Sequence, residues 1–112
     1  MYWVTIQHLP SKTYLTTNSS GALSFTNEIG NACMFGVWKK YDSVVGLQNR
    51  LTRKWLGQTF FGSIVCSASS FSSREEWEVS LSISILHFTF HHHILYDFNV
   101  IDVSSTCSLY YI

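Results

Sequence analysis

The 112-residue chain has one proline and only 12% charged residues, with seven Lys and Arg against seven Asp and Glu. That balance leaves no basic footprint for a nucleic-acid backbone. So little charge beside 16% aromatic residues also excludes a disordered chain. Collagen, coiled coil and charged tails are excluded by the same composition. Cysteine is scarce as well: Cys33, Cys66 and Cys107 form no CxxC pair and no dense framework, which fits a reducing, cytoplasmic setting. The first eight residues have no basic segment and no continuous apolar run, so no secretory signal is read. The longest uncharged stretch, Val79 to Tyr96, carries His87, His91, His92 and His93 and several serines, which makes a membrane span a poor reading. What remains is one small globular domain.

The residues that shape backbone turns are unevenly spread. All six glycines, all four tryptophans, the proline and all seven Lys and Arg lie within residues 1–79. Residues 80–112 have none of these, and Asp97 and Asp102 are their only charges. A segment without glycine or proline is poorly equipped for the repeated reversals of a β domain.

Within residues 1–79 the chain repeats itself at an offset of 41. Val4-Thr5-Ile6-Gln7 aligns with Val45-Gly46-Leu47-Gln48, and Lys12-Thr13-Tyr14-Leu15 with Arg53-Lys54-Trp55-Leu56. Gly21-Ala22-Leu23-Ser24-Phe25 then falls on Gly62-Ser63-Ile64-Val65-Cys66 and, after one inserted residue, Phe35-Gly36-Val37 meets Trp77-Glu78-Val79. Apolar residues alternate with polar ones in these elements, the period of a half-buried strand. Turn residues separate them, Pro10-Ser11-Lys12 and Asn18-Ser19-Ser20-Gly21 in the first unit, Asn49-Arg50 and Gly62 in the second. Two four-stranded units are expected, residues 3–38 and 44–79, with Val4, Ile6, Tyr14, Leu15, Leu23, Phe35, Val45, Leu47, Trp55, Leu56, Ile64 and Trp77 facing inward. Trp55 and Trp77 are read as structural anchors, since Tyr14 and Phe35 hold the matching places.

A unit of Val-x-Leu-Gln, aromatic-Leu, Gly-x-aliphatic and aromatic-x-Val resembles one lobe of a β-trefoil. More narrowly, Val45-Gly46-Leu47-Gln48-Asn49, Lys54-Trp55-Leu56-Gly57 and Glu75-Glu76-Trp77-Glu78-Val79 resemble the fascin and actin-crosslinking-like branch of that superfamily. The resemblance covers residues 3–79 and implies an all-β, partial β-trefoil of two lobes followed by a non-homologous tail. It implies a non-enzymatic interaction module without cofactor, with actin or another protein as partner. A carbohydrate-binding trefoil is the alternative, ranked lower because Gln58-Thr59-Phe60 stands where lectin lobes of the ricin type carry Gln-x-Trp. A third reading is an incomplete gene product. Val79-Ser80 is what a eukaryotic splice donor beginning GTAAGT encodes in frame, so residues 80–112 read as translated intron, a divergent native C-terminus being the other reading. No third lobe equivalent to the first two is expected there, although Ser80 to Ile85 alternates well enough to pair with an open edge.

No motif carries catalysis. His8 is the only histidine before residue 80, no Gly-x-Ser-x-Gly occurs, and no glycine-rich phosphate loop is present. His87, His91, His92 and His93 are read as unselected residues of the tail rather than as a metal site. Cys66, aligned with Phe25 at an inward position, reads as an inert buried thiol. Glu75, Glu76 and Glu78 flank the Trp77 anchor and read as a solvated face, while Lys39, Lys40, Arg50, Arg53 and Lys54 form a candidate basic patch for an acidic partner.

Overall fold

The computed structural model describes residues 2–8, 11–41, 43–61, 63–82, 85–90 and 102–103, with side-chain burial described within residues 3–78. The described residues form strands β1 (Tyr2–His8), β2 (Thr13–Thr17), β3 (Leu23–Thr26), β4 (Met34–Tyr41) and β5 (Val44–Asn49). They continue with β6 (Trp55–Gln58), β7 (Ile64–Ala68), β8 (Trp77–Ser82), β9 (Ile85–Phe90) and β10 (Asp102–Val103). Single turns of 3₁₀ helix precede β4 and β8, at Asn31–Cys33 and Ser73–Glu75. The protein is all-β, and every strand pairing among the described residues is antiparallel.

The pairing repeats with the sequence. Gln7 of β1 lies opposite both Tyr14 of β2 and Asp102 of β10, while Gln48 of β5 lies opposite both Trp55 of β6 and Gly36 of β4. Val4 faces Phe35 of β4, as Val45 faces Trp77 of β8. Hairpins β2–β3 and β6–β7 branch from this path at matching places. The remaining six strands are paired in the order β1, β4, β5, β8, β9, β10 and back to β1. Each of the six is thus paired with two others of the circuit, although β10 meets only two residues of β1 and two of β9.

The compositional break after Val79 is not a break in secondary structure, because β8 runs through it to Ser82. Beyond it, β9 pairs along β8, and β10 bridges β9 to β1. Residues 91–101, on which the expected lack of a third hairpin turns, lie outside the described residues, as do His91, His92, His93 and Cys107.

Turn chemistry explains why the two units share their path. Lys12 and Arg53, 41 residues apart, are the two non-glycine residues with positive φ among the described residues, at 57° and 63°. Each closes its turn by donating its N–H four residues back, Lys12 to the His8 carbonyl at 2.7 Å and Arg53 to the Asn49 carbonyl at 2.9 Å. At the tip of each branching hairpin the bond from Asn18 N–H to the Ala22 carbonyl, 3.2 Å, is matched by Thr59 N–H to Ser63, 2.8 Å. Both 3₁₀ turns close alike, Cys33 N–H on Gly30 and Glu75 N–H on Ser72, each at 3.0 Å.

Strand alternation then sends one side of each unit inward. Val4, Ile6, Leu15, Phe35, Val37, Val45, Leu47, Leu56, Cys66 and Trp77 form one buried cluster, with Leu23 and Ile64 half-buried against it. Trp77, the largest buried side chain, donates its indole N–H to the Leu56 carbonyl at 2.9 Å. That bond satisfies the polar atom of the ring inside an apolar core. Tyr14 and Trp55 depart from the expected inward set and are only half-buried. Their neighbours Leu15 and Leu56 take the core side, and successive residues of a strand point to opposite faces. Phe25 also departs from expectation: it is exposed and lies against His8, with ring centroids 5.3 Å apart.

Candidate functional site

The proposed basic patch is two groups rather than one. In the β4–β5 pair Lys39 lies opposite Val45, whereas Phe35 lies opposite Asn49, immediately before Arg50. Four residues of strand, about 13 Å, therefore separate the level of Lys39 from that of the β5–β6 turn. Two of the five cations, Lys40 and Arg50, are also engaged. Lys40 is ion-paired with Glu76 and sits 5.3 Å from the centroid of the Phe71 ring, and Arg50 lies 5.2 Å from the centroid of Trp3. Arg53 and Lys54 belong to the turn, where the Lys54 carbonyl accepts the Asn49 N–H at 2.8 Å.

The acidic residues beside Trp77 are not a solvated face either. Glu75 and Glu76 are only 6% and 4% exposed, while Glu78 faces solvent. One carboxylate oxygen of Glu75, Oε1, accepts from the Ser72 N–H at 3.1 Å and from its hydroxyl at 2.7 Å. Glu76 accepts from Lys40 and, at 3.4 Å, from the Tyr41 hydroxyl. Partners of this kind offset the cost of taking a carboxylate out of water. Alternation around Trp77 gave no sign of them, because they come from Ser72 in the preceding loop and from β4.

The outer face of the second unit carries a group of aromatic rings. Trp55 stacks on Phe71 with centroids 4.9 Å apart and planes 19° from parallel, and Trp38 tilts against Trp55 at 6.2 Å. Gly46 makes room for them. A Cβ there would come within 2.7 Å of both Phe71 and Trp55, and Trp38 is its cross-strand partner. At the hairpin tip Phe60 and Phe61 are 73% and 86% exposed, set edge to face at 5.3 Å, with the Arg74 guanidinium 5.4 Å from the Phe60 centroid.

Between hairpin β6–β7 and the Ser73–Glu75 turn lies a cleft of about 260 Å³. Trp55 and Phe60 contribute its rings, and Gln58, Ser67, Arg74 and Glu75 its polar groups. Gly57 lets the turn approach the hairpin, since a Cβ on it would sit 2.5 Å from the Arg74 carbonyl and 2.8 Å from Glu75 Oε2. Gln58, Thr59 and Phe60, which in the sequence counted against a lectin site, all line it.

Other candidate chemistry is placed as follows. Cys33 and Cys66 are buried free thiols, and burial pushes the Cys66 thiol up to about 12 despite hydrogen bonds from Asn49 and Thr52 that favour the thiolate. Among the described residues no group of three or more His, Cys, Asp or Glu converges as metal ligands. Among them, too, no helix is long and apolar enough to cross a membrane. Neither the models of known protein families nor the curated proteins contain a match to this chain.

Proposed function

We propose that the chain is a non-enzymatic binding module of the β-trefoil kind, resembling the fascin and actin-crosslinking-like branch, that engages a protein partner in the cytoplasm. The trefoil reading is supported by the recurrence of strand pairings at Gln7 and Gln48, by the two branching hairpins and by the closed circuit of six strands. In this reading β9 and β10 stand where the outer strands of a third unit would.

The observation that carries a protein partner is the set of exposed aromatic residues. Trp38, Tyr41, Phe60 and Phe61 all remain accessible, on β4 and on the β6–β7 tip. Large rings with little rotamer entropy are the residue types that dominate protein–protein binding energy, especially with arginine beside them, as Arg74 is beside Phe60. Actin is the first partner to test. Cosedimentation with filamentous actin should pellet the protein, and Trp38→Ala and Phe61→Ala should reduce the pelleted fraction while leaving the fold intact. An actin pellet free of the wild-type protein would remove actin as the partner.

A further inference from the structure

In the circuit β1, β4, β5, β8, β9, β10 one hairpin branches from β1 and another from β5. By the same alternation the third place for a hairpin is β9. Yet 25 residues join β1 to β4 and 27 join β5 to β8, whereas 11 join β9 to β10. The strands of each existing hairpin take nine residues, so a copy within 11 would leave two for all its turns.

The two hairpins meet as tip on strand. The first tip sets Gly21, at φ 89°, against β7, where the Gly21 carbonyl accepts the Cys66 N–H at 2.9 Å. A Cβ on Gly21 would come within 2.7 Å of Ser67, so the contact is close. Such a contact needs a tip and a receiving strand, and one of each is left over around the place of β9. The spare tip carries Phe60 and Phe61 before Gly62, and the spare strand is β3, where Phe25 pairs with Leu15 as Cys66 pairs with Leu56. Among the described residues no tip bonds to Phe25, which is 44% exposed where Cys66 is fully buried. At the offset of 41, Phe60 and Phe61 replace Ser19 and Ser20, so the hairpin turn itself does not call for rings.

We propose that two copies of the chain pair about a two-fold axis, the Phe60–Phe61 tip of each set against β3 of the other. The contact within the chain shows what kind of element fits β3, and a second copy brings that element. The spare tip and the spare strand border one gap, so two gaps placed face to face satisfy both at once, and the interface closes on itself. A foreign partner would have to match two unlike walls. Exposed phenylalanines on both walls supply the apolar surface that association covers. This pairing goes beyond the actin reading and is tested without actin.

Sedimentation velocity of the full 112-residue chain over a range of concentrations should show a reversible monomer–dimer equilibrium. Phe60→Ser combined with Phe61→Ser gives the second tip the residues of the first, so the hairpin should still form. The dimer dissociation constant should nevertheless rise about tenfold or more, as expected when two rings leave the centre of an interface. Phe25→Ser should weaken the dimer in the same way. Because a contact with either half spoiled is lost, mixing the two variants rebuilds one sound contact per pair, and the mixture should associate more tightly than either variant alone. Thermal unfolding checks that each variant is folded; if Phe25→Ser is not, the tip variant alone decides. A chain monomeric at every concentration, a dimer that the tip substitutions leave unchanged, or a mixture of folded variants no tighter than its components overturns the proposal. Open-ended growth beyond the dimer overturns it as well, since a two-fold contact closes. Actin pelleting by a strictly monomeric chain would leave the actin reading standing and this one refuted.

Discussion

Gln7 and Gln48 perform one task twice. Each donates its side-chain amide to the carbonyl of the left-handed residue five positions on, Gln7 to Lys12 at 3.3 Å and Gln48 to Arg53 at 3.0 Å. An L-residue with a side chain at positive φ costs about 1 kcal/mol or more, and the amide helps to hold it there. The identical glutamine in both copies of the repeat is thus a turn brace.

The brace has opposite consequences at its two ends. Gln48→Leu should destabilise the protein by about 1 kcal/mol, the net value of one such hydrogen bond. Arg53→Gly should be neutral or stabilising, because glycine adopts φ 63° without the Cβ penalty, offset by its greater freedom in the unfolded chain. Urea unfolding of both variants checks this, and a large loss on Arg53→Gly would mean that the arginine side chain has a role of its own.

Trp55 and Trp77 should respond differently to truncation. Trp77 is fully buried and bonded to the Leu56 carbonyl, so Trp77→Ala should cost about 3–5 kcal/mol and Trp77→Phe about 1–3 kcal/mol through the unpaired carbonyl. Trp55 is half-buried and gains its contacts from Phe71, Trp38 and the space over Gly46. Trp55→Ala should cost clearly less than Trp77→Ala. Equal losses in chemical denaturation would place the Trp55 ring in the core after all.

The Cys66 thiol predicts a stability loss at high pH. Its folded pKa is pushed up to about 12 from an ordinary 9.0 by burial, so between those values the unfolded chain has lost a proton that the folded one keeps. The stabilisation is complete below about pH 9 and is lost as pH rises toward 12. Cys66→Ala should flatten that part of the pH–stability curve, measured by urea unfolding from pH 8 upward. Native Cys66 should also resist iodoacetamide at pH 8 and react once the chain is unfolded.

Much of this architecture is legible in the residues, because the two units repeat their own instructions. The aliphatic pairs, the paired glutamines and the aromatic-Leu phrases identify strands and most of the core. Strand periodicity, applied strictly, would also have turned Tyr14 and Trp55 outward, since Leu15 and Leu56 claim the inner face. Contacts between distant segments are less legible. Nothing near Glu76 in sequence announces Lys40, 36 residues earlier, and nothing in Lys39 or Arg50 reveals that antiparallel pairing puts them at opposite ends of two strands. The cleft was not legible, because Arg74 and Glu75 reach the Gln58–Phe60 segment through a turn that Gly57 admits.

The segment after Val79 gives the sharpest test of the architecture. Its composition reads as foreign to the repeat, yet β9 pairs with all six residues of β8, and β10 joins β9 to Ile6 and Gln7 of β1. Deleting residues 80–112 removes three links of the six-strand circuit and cuts β8 short. It exposes the backbone of β1 on one side and of β8 on the other, the kind of edge that recruits strands from other molecules. The shortened chain should therefore lose cooperative thermal unfolding and elute as aggregates, whereas the full chain unfolds in one transition. If the transcript is spliced between the Glu78 and Val79 codons, the residues joined there should restore the circuit, and the spliced product should be more stable than the 112-residue chain. Cooperative, monomeric unfolding of the isolated 1–79 segment would show that the two units close without any third contribution, and that the strands beyond Ser80 are dispensable to the fold.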